Sequence, residues 1–193
     1  MWIYQKKLEF PINISNPDLR IAKALMAQYG GPDSELGAGM RYLTQRFTMP
    51  DDRVKATLND IGTEEISHWE MIGTMIHQTM ERASLADIEA AGLAGYYTLH
   101  GKAVYPADPN GVPFTASYIQ ATGDPLADIM EDLAAEGATG YAQHFLMSSF
   151  CHSLNFLNVY LEFPMNHYRN LMRSRYPASN VDIIDQSISH LPC

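Results

Sequence analysis

From Asp51 to Met80 one pattern repeats without a break: Val54, Leu58, Ile61, Ile66, Met71, Ile72, Met75, Ile76 and Met80 recur at roughly helical spacing. Pro50-Asp51-Asp52 stands where a helix of that register opens, and the apolar stripe defines one side to be buried. A helix this long suits a bundle, in which the stripe is covered by neighbouring helices.

The rest of the chain supplies candidates for those neighbours. Asn16-Pro17-Asp18 offers a cap and a proline suited to a first helical turn. Leu19, Ala22, Ala24, Leu25 and Met26 follow as an apolar stripe. Gly30-Gly31-Pro32 interrupts it, and Asp33 or Ser34 can cap a second segment running to about Phe47; the two pieces are expected to form one kinked unit. Trp2-Ile3-Tyr4 and Leu8 to Ile12 read as a short strand-like opening. A shorter helix is predicted from Ser84 to about Ala91. Gly92 to Gly123 is broken by glycines and prolines, a length of connection that tends to be functional or to serve a partner subunit. Asp124-Pro125 then starts a third long helix through Leu126, Ile129, Leu133 and Ala134, continuing to about Met147. A fourth stretch lies between Leu154 and Met172, with Pro164 inside it. The expected fold is an all-α, ferritin-like four-helix bundle with a long crossover loop and an irregular C-terminal tail. The domain is expected over residues 1–173 and the tail over 174–193.

Composition narrows the function. With 193 residues and a hydrophobic fraction of 46% the chain can build one sizeable core. A net charge of -9 argues against nucleic-acid binding, which needs clustered Lys and Arg on phosphates. No run approaches the roughly 18 apolar residues of a membrane span, and no apolar signal core follows the first residues. The expectation is a soluble, unsecreted protein with no membrane partner. Cys151 and Cys193 form neither a disulfide framework nor a metal-binding spacing.

The chemistry-bearing run is Gly62-Thr63-Glu64-Glu65-Ile66-Ser67-His68-Trp69-Glu70. Glu65 and His68 lie three apart, on one side of a helix. A Glu-x-x-His pair projecting into a bundle lets the carboxylate bridge two metal ions while the imidazole binds one. Glu64, four before His68, also shares a face with it, so both carboxylates remain open at this point. Such a pair alone is common on solvated helices. Its weight comes from matched carboxylates on two other helices, for which Glu35 and Glu136 are the candidates. Glu35 is surrounded by small residues and shares a face with Tyr42, although a first-turn acid is also favoured by the helix dipole. Glu136 follows Ala134-Ala135, which suggests an inward face, whereas Glu131 and Asp132 read as solvated charges. His77 reads as solvated, His100, His144, His152 and His190 show no ligand spacing, and the methionines read as core filler.

Several of these segments, in order, resemble the manganese catalase family: Gly30-Gly31-Pro32-Asp33-Ser34-Glu35-Leu36, Asp60-Ile61-Gly62-Thr63-Glu64-Glu65, His68 with Glu70-Met71-Ile72, and Val112-Pro113-Phe114-Thr115. The resemblance spans about Met1 to Glu136. The opening Met1-Trp2-Ile3-Tyr4-Gln5-Lys6-Lys7-Leu8 and the short chain are similar to the CotJC-type spore-coat branch of that family.

The resemblance implies a dinuclear manganese centre liganded by Glu35, Glu65, His68 and Glu136, with Glu65 bridging. It implies disproportionation of hydrogen peroxide, a homo-oligomer, and a place in the cytoplasm or the spore coat among other coat proteins. The ligand types alone suit iron as well as manganese. The family's last helix carries a second Glu-x-x-His. Here the corresponding stretch reads Pro164-Met165-Asn166-His167, so His167 is the candidate second imidazole, and Glu162, five positions away, is off its face. From Gly137 onward Glu162, Asp182 and Asp185 are the only acids, and lysine is absent.

Overall fold

The computed structural model describes residues 5, 7–15, 17–93 and 103–136. By its contacts the chain divides into two compact units, Met1–Glu131 and Asp132–Cys193. The expected stretch between Leu154 and Met172, the tail over 174–193 and Trp2-Ile3-Tyr4 of the opening lie outside the described residues.

Helix α1 is Leu19–Gly30, and its N-cap is Asp18, whose carboxylate accepts from the Arg20 backbone N–H at 2.9 Å. Pro17 therefore precedes the cap instead of occupying the first turn. Helix α2 is Glu35–Gln45, capped by Ser34, whose hydroxyl accepts from Gly37 N–H at 3.2 Å. A single 3-10 turn, Arg46–Thr48, extends it. Gly31 and Ser34 both have extended backbone, so α1 and α2 are two helices separated by a turn and not one kinked unit.

Helix α3, Asp52–Met80, covers 29 residues from its Asp51 cap, as the apolar repeat predicts. Leu58, Ile61, Met71, Ile72, Met75, Ile76 and Met80 are buried along it, each contributing about 1.5–3 kcal/mol by leaving water. Val54 and Ile66 are half-buried. Both earlier helices pack on α3. Helix α2 runs antiparallel to it, because Glu35 lies beside His68, Gly39 against Ile66 and Gly62, and Arg46 hydrogen-bonds Asn59. Helix α1 meets α3 where the Trp69 indole N–H donates to the Tyr29 carbonyl at 3.1 Å and the two rings stack, their centroids 5.0 Å apart.

The opening segment corrects the strand expectation: Leu8 to Ile12 forms no strand. It lies along α3, where the Gln78 side-chain amide accepts from Ile14 N–H at 2.8 Å and donates to the Ile12 carbonyl at 3.0 Å. The Phe10 N–H is directed at Met71 Sδ at 3.4 Å, so side chains of α3 supply the donor and acceptors that a second strand would have provided.

Helix α4, Leu85–Ala90, has a reciprocal capping box between Ser84 and Asp87. Within the described part of the long connection, Ala107 and Pro113 form an isolated antiparallel bridge around a turn in which Asp108 accepts from Asn110 and Val112 N–H. Helix α5 is described over residues 125–136. Asp124 caps it by accepting from Leu126 and Ala127 N–H, with Pro125 at its first position. No helix among the described residues is long and apolar enough to cross a membrane.

Candidate metal centre

The side chains at issue are placed by the α2–α3 crossing. A Cβ at Gly39 would come within 2.9 Å of the Ile66 side chain and 3.2 Å of the Gly62 carbonyl. One at Gly62 would lie 2.8 Å from Leu43 Cγ. These two glycines let the helix backbones approach closely, and Ser34 starts α2 so that Glu35, its first residue, hangs over α3 at the level of His68. Glu65 and His68, one helical turn apart, face it.

Glu35, Glu65 and His68 are all buried, at 6%, 3% and 4% exposure. His68 Nδ1 stands 3.0 Å from Glu65 Oε2 and 3.8 Å from Glu35 Oε2. The shorter contact is within hydrogen-bond distance. Of the two carboxylates that share a face with His68, the structure brings in Glu65; Glu64 is half-buried and outside the group.

One ligand atom from each of the three residues lies within 4.8 Å of the other two, the one such group of His, Cys, Asp and Glu among the described residues. The donors fit a metal ion on three counts. A cation with bonds of about 2.1 Å spreads its ligand atoms over about 3 to 4 Å, so small side-chain torsions bring this set to coordination distance. Oxygen and imidazole donors without thiolate suit manganese or iron. Two carboxylates taken out of water cost several kcal/mol each unless a cation or hydrogen bonds offset them.

Glu136 stands at the end of the described part of α5, in the second unit, and is half-buried. Its helical register follows Asp132 and Asp128, four and eight positions earlier, both of which are buried, whereas Ala134 is exposed. Asp132 is thereby a correction, since its 1% exposure contradicts a solvated charge; it shares the inward stripe with Asp128, while Glu131 is exposed as expected. Asp128 is occupied locally. It accepts from Thr122 N–H and hydroxyl at 2.8 and 2.7 Å and from Gly123 N–H at 3.2 Å. Burial pushes its carboxyl up, but these hydrogen bonds outweigh burial and leave its pKa lowered. His77 is exposed, as its register implies. His167 lies outside the described residues.

Residues 1–150 match the family described as manganese containing catalase. The chain is 51% identical to Protein CotJC of Bacillus subtilis over 136 residues, covering 70% of this chain and 71% of that protein. It is 35% identical over 149 residues to a manganese catalase of Bacillus subtilis, and spans 55% of that protein's length. To a probable manganese catalase of Clostridium acetobutylicum it is 30% identical over 138 residues, spanning 61% of the relative. Among solved structures, KatB, a manganese catalase from Anabaena, superposes with a TM-score of 0.77 at 25% identity, over 90% of this chain and 79% of that one.

Proposed function

The chain belongs to the manganese catalase family and has its all-α, ferritin-like fold, and from that premise we propose that it disproportionates hydrogen peroxide to water and oxygen at a pair of manganese ions. The observation that carries the reading is the buried convergence of Glu35, Glu65 and His68 from two helices. A manganese pair held there would supply a reversible two-electron couple for peroxide.

The chain's own residues do the rest. Glu35 and Glu65 would offset the charge of the ions, and Glu65 is the carboxylate that the family resemblance nominates as the bridge. His68 is held in its ring orientation by the turn of α3 that also holds Glu65, so the two donors arrive pre-positioned. Two divalent ions carry more charge than two carboxylates cancel. Glu136, on the inward stripe of α5, is the acid proposed to complete the set, and His167 the second imidazole. Pro164 replaces the carboxylate of the family's second Glu-x-x-His. If that carboxylate handles protons, its loss lowers turnover with both metals bound, by about 100-fold to 10,000-fold.

A second reading is favoured by the 51% identity to CotJC: a spore-coat component, assembled with copies of itself and with other coat proteins, whose metal site is structural. An iron-binding oxidase is the third, because the donors admit either metal. Metal analysis of the protein purified from cells, with oxygen evolution from hydrogen peroxide measured on the same sample, separates them. Manganese with oxygen evolution is expected. Manganese without it favours the coat reading, and iron the oxidase. His167→Ala tests the second imidazole: manganese content is expected to fall, and an unchanged content removes His167 from the ligand set.

A further inference from the structure

Trp69 directly follows His68 and stands four positions after Glu65, which puts it on the same stripe of α3 as the carboxylate. Its ring is stacked on Tyr29 with an interplanar angle of 12°. Its N–H is held by the Tyr29 carbonyl. Room for the Tyr29 ring is made by Gly73, where a Cβ would lie 2.8 Å from Tyr29 Cε2. Trp69 is half-buried and Tyr29 buried, so the stack runs from the helix that carries Glu65 and His68 into the α1–α3 contact. Indole and phenol are the most readily oxidised rings of the common side chains, and stacking spreads a missing electron over both. Met71 and Met75 of α3 and Met26 of α1 are all buried, and their oxidation to sulfoxide would put a polar group into the core.

We propose that the stacked Trp69–Tyr29 pair is a sacrificial electron donor that drains misdirected oxidation away from the Glu35–Glu65–His68 site, sparing the ligands and the methionine core. The proposal rests on the peroxide chemistry assigned to that site. Its oxidant is hydrogen peroxide acting there. The two electrons that reduce one hydrogen peroxide to two waters leave the aromatic pair, one water then adds to the oxidised ring, and the two protons it releases replace those the peroxide consumed. The net change is one hydroxylated indole or phenol and one water per peroxide. Tyr29 passes electrons to Trp69 across the stack, so product accumulates on both rings.

The test is peptide mass spectrometry of full-length protein loaded with manganese and, in parallel, with redox-inert zinc, each exposed to hydrogen peroxide after its metal content is measured. Oxygenated Trp69 and Tyr29 peptides are expected to be several-fold enriched in the manganese sample, with Met71 and Met75 spared. In Trp69→Phe, which keeps an aromatic stack, oxidation is expected to move to His68 and Met71, and manganese to be lost faster per peroxide consumed from the same starting content. Tyr29→Phe serves if that variant does not fold; it should retain Trp69 product and raise Met71 oxidation. Equal Trp69 oxidation in the manganese and zinc samples, or oxidation confined to exposed methionines, overturns the proposal while leaving the metal reading intact. Protein that takes up no manganese overturns both, and the metal measurement on the same sample tells the two failures apart.

Discussion

Two sets of acids sit on inward helix faces, and they have different fates. At the α2–α3 crossing, Glu35 and Glu65 converge with His68 from two helices into one buried donor group. Along α5, Asp128 is as buried as they are, at 2% exposure, yet its carboxylate is used up by Thr122 and Gly123 of its own approach loop. Burial of an acid therefore does not make a ligand. What separates the two cases is whether the carboxylate is held by backbone and hydroxyl donors of its own loop or whether carboxylates from separate helices converge with an imidazole.

The sharpest way to break that contrast is to remove one converging oxygen. Glu65→Gln and Glu35→Gln keep size and hydrogen-bonding capacity but lose charge, and each is expected to lose its manganese and its peroxide turnover while circular dichroism shows unchanged helical content. Retained manganese in either variant would place that acid with Asp128 instead. Next in size is the crossing itself. Gly62→Val pushes a branched side chain into Leu43 and Tyr42, which overpacks the interface by about 1–3 kcal/mol. Thermal melting is expected to show that loss together with weakened manganese retention, because the helices that bring the donors together must separate.

How much of this was legible beforehand follows from what each residue depends on. The 29 residues of α3 and its Asp51 cap could be read from spacing alone, because a period of helical turns and a proline-acid start are local properties. Glu65 and His68 could be paired from their separation, but choosing Glu65 over Glu64 required the register of α3 against α2. Asp132 misled, since a run of acids on a helix looks solvated until the neighbour of one face is known. The opening segment misled differently. Its apolar residues suggested a strand, and the partners turned out to be side chains of α3, Gln78 for Ile12 and Ile14 and Met71 for Phe10, 61 to 66 positions away. Glu136 and His167 depend on placements beyond any local signal, and the resemblance to the family is what nominated them.

The locally satisfied acids supply the smaller tests. Asp128→Ala removes three accepted hydrogen bonds at the head of α5, and a cap-like loss of about 1 kcal/mol in denaturant melts is expected, with manganese content unchanged. Should it strip manganese as completely as Glu65→Gln does, the distinction between local and convergent acids fails. Least of all is the effect at Asp51, where hydrogen bonding from the Arg53 side chain, then from its backbone, holds the carboxyl down from 3.8 to about 2. A depressed acid adds stability above its unfolded value and loses it as pH falls through the folded one. The Asp51 contribution is therefore expected to fade between about pH 4 and pH 2, seen as a helix-start resonance shift, and to vanish in Asp51→Ala.

The account as a whole turns on one quantity, manganese bound per chain, measured by elemental analysis of the purified wild-type protein beside His68→Ala. Stoichiometric manganese in the wild type and its absence from the variant, with both proteins folded, is the predicted result. A wild-type protein that binds no manganese, or a variant that binds as much as the wild type, would contradict it.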